Sequence, residues 1–296
     1  MAGARSEARR GLGREPARPS VLVGLVGAGI QASRTPALHE REGAEQGLRY
    51  IYKLIDLERL GLDASALPEI LTAAQRFGFA GLNITHPCKQ AVIPCLDELS
   101  PDAEALRAVN TVVLREGRRV GHNTDWWGFA ESFRRELPDV RRDRVVQLGA
   151  GGAGAAVAHA LLTLGSTDLA IVDTDEARAQ SLAEALRRRF GTARAVASRS
   201  LSDAAAAADG IVNATPVGMT KYPGTPFPTE VLRPDLWVAE IVYFPLETEL
   251  LREARARGCR TMSGGGMAVF QAVDAFRLFT GREPDAERML QHFREM

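Results

Sequence analysis

RVVQLGAGGAGAAVAHALLTLG, residues 144–165, decides the architecture. Val145, Val146 and Leu148 form a short apolar run that stops at Gly149, and the alanine-rich stretch after Gly154 offers few obstacles to a helix. Between them lies Gly149-Ala150-Gly151-Gly152-Ala153-Gly154, a strand-to-helix turn of the kind that cradles a dinucleotide pyrophosphate. Gly149 permits the tight turn, Gly151 removes a side chain that would block the pyrophosphate, and Gly154 lets helix and strand pack closely. The helix N-terminus then presents unpaired N–H groups and the positive end of its dipole to the phosphates. A turn that merely favours glycine would explain the loop alone, but not the second strand that follows it.

That second strand, in LAIVDTDEAR, ends at Asp173, about twenty residues beyond the glycines, where an acidic side chain accepts from the adenosine ribose hydroxyls. A carboxylate there repels a 2′-phosphate, so NAD is expected rather than NADP. Arg178, counted with the cofactor-binding residues, would soften that repulsion, but it lies inside the next helix. A rival loop, GAGIQAS at 27–33, also follows a strand, yet Ala32 stands at its third glycine position. It runs into Ser33-Arg34-Thr35-Pro36, where Pro36 and the polar residues are expected to spoil an immediate helix.

Working outward, strands are expected at 21–27, 49–57 and 79–84, with helices over 64–77 and over 88–99, the latter entered through Pro87. VNTVVLREGRRVGHNTD reads as a hairpin around EGR. From Thr124 or Asp125 a connecting helix runs to Pro138. Beyond the glycine loop come a helix over 176–190, short strands in GIVNATPVG and WVAEIVYFP, and two C-terminal helices. Strands alternating with helices give an α/β fold: an N-terminal α/β catalytic domain and a Rossmann NAD-binding domain with a cleft between them.

Composition excludes other classes. The chain has 296 residues, long for one core and comfortable for two domains. Its 37 basic and 37 acidic side chains cancel, which gives no reason to expect nucleic acid or a membrane as partner. No apolar run approaches the length of a bilayer span. Cys88, Cys95 and Cys259 form no CxxC pair, and the five histidines lack metal-ligand spacing, so a reducing cytoplasmic setting and no metal are expected. Residues 1–20, rich in Arg, Gly and Ala, read as a disordered tail rather than a secretory or transit signal.

Polar residues gather at the strand ends of the first half: Ser33 and Thr35; Asn83, Thr85 and Lys89; Asn110 and Thr111; Asn123, Thr124 and Asp125. Taken singly, each is explained as a cap, a turn or a solvated charge. Together they mark the C-terminal ends of successive strands, where open α/β sheets bind ligands. Hydroxyls and amides suit a polyhydroxylated substrate, and two hydroxyls on one loop can hold a carboxylate. Hydride transfer from an alcohol requires that the hydroxyl proton leave, and Lys89 beside Asp125 would form the pair that takes it. Which of the two accepts the proton, or whether a relay runs through both, is open at this point.

With these residues in view, the sequence after residue 20 resembles the shikimate dehydrogenase family. The resemblance rests on S-x-[ST]-P-x-x-H at 33–39, N-[IV]-T-x-P-x-K at 83–89, A-x-N-T at 108–111 and G-x-N-T-D at 121–125. It continues through the glycine loop, N-A-T-P-x-G-M at 213–219 and G-M-x-x-x-Q at 266–271. It implies a discontinuous catalytic domain, 21–124 with 264–296, around a Rossmann domain at 125–263. It also implies Lys89 and Asp125 as catalytic pair. Ser33, Thr35, Thr85, Asn110, Tyr243 and Gln271 would face substrate, and Thr215, Val242, Gly264 and Met267 would lie near the cofactor. His86, superficially the better acid–base group, falls at a position that the family pattern leaves variable.

Two departures from the NADP-linked biosynthetic pattern resemble the actinobacterial NAD-dependent quinate/shikimate dehydrogenases: Ser33-Arg34-Thr35 in place of Ser-x-Ser, and Val172-Asp173-Thr174 in place of a basic cluster. Oxidation of quinate and shikimate by a monomer or homodimer is therefore expected. Amino analogues of those substrates, or a ligand sensor without catalysis, are the alternatives. The sensor has no need for both Lys89 and Asp125.

Overall fold

Val21, Leu22, Val23, Leu25 and Val26 fill Ser20–Gly27 (β1) with side chains that favour extended backbone, and the strand becomes fully buried toward its C-terminal end. The computed structural model describes residues 18–191 and 195–296. The expected tail at 1–20 therefore lies outside the described residues except for its last three.

After β1 the chain forms α1 (Thr35–Glu45), β2 (Arg49–Asp56), α2 (Leu57–Leu60), α3 (Leu67–Arg76), β3 (Gly81–Ile84), α4 (Cys88–Ala91), β4 (Glu98–Leu99), α5 (Pro101–Leu106), β5 (Thr111–Arg115) and β6 (Arg118–His122). The strands make one mixed sheet in the order β2-β1-β3-β5-β6-β4. β1 runs parallel to β2 and β3, whereas β5 is antiparallel to β3 and β6. Alternation divides its side chains: Val26, Leu82, Ile84, Val112 and Leu114 pack with Leu67 and Leu71, while Val23, Leu25 and Val113 face the other way, toward Phe276 and Phe279.

Next come α6 (Asp125–Glu136), β7 (Arg144–Leu148), α7 (Gly152–Thr163), β8 (Asp168–Val172), α8 (Glu176–Phe190), β9 (Ala195–Ala197), α9 (Leu201–Ala206), β10 (Gly210–Asn213), β11 (Trp237–Glu240), α10 (Glu249–Ala256), β12 (Arg260–Met262), α11 (Gly264–Thr280) and α12 (Ala286–Glu295). The second sheet is parallel throughout, in the order β9-β8-β7-β10-β11-β12. Counted from β7, that order is 3-2-1-4-5-6, the Rossmann arrangement, whose crevice opens beyond the carboxyl ends of β7 and β10. Val145 and Val146 point to opposite faces, each into its own apolar core.

α11 ties the halves together. Its far end packs Phe276 and Phe279 against the first sheet. Its near end runs so close to α6 that a Cβ on Gly128 would stand 2.7 Å from the Gln271 nitrogen, and one on Gly266 would stand 2.1 Å from Ser132 Oγ. Side-chain-free positions let the two backbones approach, which fixes α11 relative to Asp125 at the start of α6.

Three expectations change in detail. A helix does follow the 27–33 loop: α1 begins at Thr35 with Pro36 in its first turn, where a missing N–H removes no intrahelical bond. The segment 88–99 is not one helix, because Pro94 breaks it into α4, a 3₁₀ turn at Ile93–Cys95 and β4. The 64–77 helix opens with a 3₁₀ turn at Ala64–Ala66 before α3.

Candidate active site

Lys89 sits in α4, just past β3, and Asp125 opens α6, just past β6. Lys89 Nζ donates to Asp125 Oδ2 at 2.5 Å, and both side chains are largely shielded. The other carboxylate oxygen, Oδ1, accepts from Asn110 Nδ2 at 2.8 Å. Asn110 is itself held on both sides: its Nδ2 reaches Thr124 Oγ1 at 2.9 Å, and its Oδ1 accepts from the Thr124 N–H at 2.8 Å. Thr124, one of the residues read as an N-cap, makes no capping bond to the helix; its hydroxyl goes to Asn110 instead.

Behind this layer lies a second. Thr111 Oγ1 donates to Asn110 Oδ1 at 3.1 Å and accepts from Asn83 Nδ2 at 2.9 Å, while Asn83 Oδ1 accepts from the Tyr52 hydroxyl at 2.7 Å. These groups are buried. A buried polar chain with its members paired holds one arrangement, since any turn of an amide strands a donor or acceptor. Tyr52 was not legible as part of the site; its only signal is a phenol in an alternating strand.

Thr85 lies directly after β3, where its N–H donates to the Val26 carbonyl. Ser33 Oγ accepts from the Thr35 N–H at 3.3 Å, which shapes the loop into α1. Tyr243, 44% exposed, projects beyond β11. Its crowded surroundings push the phenol above its ordinary pKa, with Lys89 and Arg34 opposing the rise and Asp125 adding to it, so it shares a field with the pair. Gln271 rests against Gly128, one turn along α6 from Asp125, and its Nε2 donates to the Ala268 carbonyl. Neither Ser33, Thr35 nor Gln271 hydrogen-bonds the Lys89–Asp125 pair among the described residues. His86 is exposed, and among the described residues its carbonyl accepts from the Ala28 N–H while its ring makes no hydrogen bond.

The glycine loop faces this group: a Cβ on Gly152 would stand 3.9 Å from Lys89 Cδ. Gly149 has a φ of 97°, and a Cβ there would stand 2.5 Å from the Ala214 carbonyl oxygen. A Cβ on Gly154 would meet the Gly149 oxygen at 2.3 Å, whereas one on Gly151 would meet nothing within 4 Å. Gly151 thus borders open space at the start of α7, whose N-terminus has no side-chain cap. The Gln147 amide, fully buried, fixes the turn from below by donating to the Gly149 and Gly154 carbonyls, each at 2.8 Å. Open space, uncapped N–H groups and a helix dipole fit a pyrophosphate.

Asp173 follows β8, with Oδ2 accepting from the Ala150 N–H at 2.7 Å and Oδ1 from the Asp175 N–H at 2.8 Å and Arg178 at 3.2 Å. Partial burial works to raise its pKa, but these backbone bonds and Arg178 outweigh it and hold the carboxyl below its ordinary value. Ala153 completes the loop in the first turn of α7. Thr215 follows β10, Val242 is buried beyond β11, and Met267 is buried in α11. Gly264 packs so tightly on the Ile241 carbonyl that a Cβ would stand 2.4 Å from it.

A Rossmann sheet facing a second α/β sheet, with a lysine–carboxylate pair between them, defines a nucleotide-dependent oxidoreductase of two-domain build. Residues 25–112 match the shikimate dehydrogenase substrate binding domain, and residues 264–292 match the shikimate 5'-dehydrogenase C-terminal domain. The shikimate dehydrogenase (NADP(+)) of Streptomyces avermitilis is 64% identical over 279 residues, covering 94% of this chain and 96% of its own. The quinate/shikimate dehydrogenase (NAD(+)) of Corynebacterium efficiens is 53% identical over 277 residues, covering 93% and 98%. Quinate dehydrogenase from Corynebacterium glutamicum, solved in complex with NAD, superimposes with a TM-score of 0.89 at 51% identity, covering 94% of this chain and 100% of that one. The chain belongs to the shikimate dehydrogenase family.

Proposed function

We propose that this enzyme catalyses reversible oxidation of quinate to 3-dehydroquinate and of shikimate to 3-dehydroshikimate, with NAD as the dinucleotide. The observation that carries the reading is the Lys89–Asp125 contact of 2.5 Å, set opposite the open glycine loop. When bound there, the nicotinamide supplies a hydride acceptor. Asp125, at the N-terminus of α6 and oriented by Asn110, stays where the helix dipole favours a carboxylate. Lys89 gains a lone pair for the hydroxyl proton by passing one of its own protons to Asp125 Oδ2 across their 2.5 Å contact, so the proton released on oxidation is carried by the pair. Ser33 and Thr35 are assigned to the substrate carboxylate, and Thr85, Asn110, Tyr243 and Gln271 to its ring hydroxyls. The catalytic part is taken as 21–124 with 264–296, and the cofactor part as 125–263.

The preference for NAD rests on Asp173. Relatives named for NAD and for NADP both occur, so the groups beyond β8 decide. Asp173 and Asp175 together place two carboxylates against the single guanidinium of Arg178, which is engaged by both. A 2′-phosphate brought there meets net negative charge. Among the described residues no helix is long and apolar enough to cross a membrane, and the three free cysteines suit a reducing, cytoplasmic setting.

The test is a matrix of initial rates: quinate, shikimate and their amino analogues, each with NAD and with NADP. Turnover of quinate and shikimate with NAD is expected. Turnover confined to an amino analogue moves the substrate assignment, and no turnover with any combination favours a sensor.

A further inference from the structure

Asn213 and Glu240 are register partners at the carboxyl ends of the adjacent strands β10 and β11. Both are fully buried, and no salt bridge reaches the Glu240 carboxylate among the described residues. Instead it is surrounded by donors. Asn213 Nδ2 lies 2.9 Å from Oε1 and 3.0 Å from Oε2, the Val242 N–H donates to Oε1 at 2.9 Å, and the Thr248 hydroxyl donates to Oε2 at 3.2 Å. Burial pushes its pKa up to about 7, against the pull of these hydrogen bonds. An acidic side chain so placed is costly unless its acceptors are used.

The arrangement has a direction. Because both Glu240 oxygens accept, the Asn213 amide must turn its Nδ2 toward them and its Oδ1 away. That oxygen accepts from the Thr215 N–H at 3.0 Å and the Thr215 hydroxyl at 2.7 Å. The same Nδ2 also reaches the Val217 carbonyl at 2.9 Å, and Gly218, at φ 109°, lets the loop pass over the carboxylate. On the other side, the Val242 N–H fixes the backbone immediately before Tyr243. One carboxylate therefore sets two loops, that of Thr215 and that of Val242 and Tyr243.

We infer that Glu240 is a positioning residue for the dinucleotide: it orients Asn213 and the Val242 backbone so that the loops beyond β10 and β11 form the cofactor-side wall of the cleft. This rests on the assignment of Thr215 and Val242 to the cofactor. In Glu240→Gln an N–H₂ group replaces one of the two acceptor oxygens, so Asn213 Nδ2 and the Val242 N–H are left to share the remaining one, and the Thr248 hydroxyl must reverse to accept.

The experiment compares the wild type with Glu240→Gln and Thr248→Val, using whichever nicotinamide dinucleotide the wild type turns over. In Glu240→Gln the KM for dinucleotide is expected to rise about tenfold with a lower kcat, and the KM for shikimate, reached only through the Tyr243 backbone, to rise by no more than about threefold. Native kinetics in Glu240→Gln, or equal rises in both KM values, would overturn the inference. If Glu240→Gln does not fold, Thr248→Val decides: a rise of about threefold in dinucleotide KM alone supports it, and native values overturn it. A wild type without turnover would instead strike at the functional reading.

Discussion

The Asn110 amide donates to Asp125 Oδ1 at 2.8 Å, so the direction in which that carboxylate meets Lys89 is set by a residue just before β5. Asn110→Ala removes this donor and the one to Thr124 Oγ1, together with the Oδ1 that accepts from the Thr124 N–H and the Thr111 hydroxyl, and leaves buried donors and acceptors unpaired. The expected outcome is a loss of about 1–3 kcal/mol in denaturant unfolding and a fall in kcat of about tenfold or more. Native kcat in a folded Asn110→Ala would mean that Asp125 needs no such support.

The glycine loop separates packing from binding. Gly154→Ala places a methyl on the Gly149 carbonyl oxygen and is expected to lower stability by about 1–3 kcal/mol. Gly151→Ala meets nothing within 4 Å, so its melting temperature should stay native while dinucleotide affinity falls about tenfold or more. Calorimetric melting and a dinucleotide titration on both variants check this contrast. Equal affinity in Gly151→Ala and wild type would remove the pyrophosphate from that spot.

Much of this was legible in the chain, for physical reasons. The 149–154 loop sits between an apolar run and an alanine-rich helix, so local pattern alone specified it. Lys89, Asn110 and Asp125 could be listed as polar residues at strand ends, but only the sheet order β1-β3-β5-β6 brings those ends together. Pro36 misled because proline spoils a helix interior yet suits the first turn, and sequence does not say where a helix starts. Pro94 was overlooked in the opposite sense. Tyr52 and Gln147 were missed since their roles depend on partners across the sheet or turn. Glu240 did leave a signal, an acid inside the apolar WVAEIVYFP, which goes unread without Asn213 beside it.

The proposed preference for NAD rests on Asp173. Asp173→Ser removes the carboxylate that would face a 2′-phosphate and leaves Arg178 paired with Asp175 alone. The ratio of kcat/KM for NAD over NADP should fall by about tenfold or more. A wild type that already prefers NADP contradicts the assignment.

His39 governs part of the acid response. Its ring is fully buried, with Nδ1 at 3.0 Å from the Tyr50 hydroxyl and Nε2 without a hydrogen-bond partner among the described residues, and burial lowers its pKa to about 3. A depressed pKa makes the neutral imidazole's stabilisation complete above the unfolded value of 6.5 and erodes it as pH falls toward 3. Between pH 6.5 and 5 this group should remove about 2 kcal/mol from unfolding free energy. His39→Asn should lose correspondingly less over the same interval, measured by urea unfolding at both pH values. Parallel slopes would assign the acid sensitivity elsewhere.

The most direct test of the Lys89–Asp125 pair is Lys89→Ala, assayed for quinate oxidation and for dinucleotide binding on the same preparation. Lys89 donates to Asp125 from the half of the molecule opposite the glycine loop. The expected result is that kcat falls by about two to four orders of magnitude while dinucleotide affinity stays near native. Retained turnover, or a loss of dinucleotide binding that matches the loss of rate, would contradict the assignment of Lys89 to proton transfer.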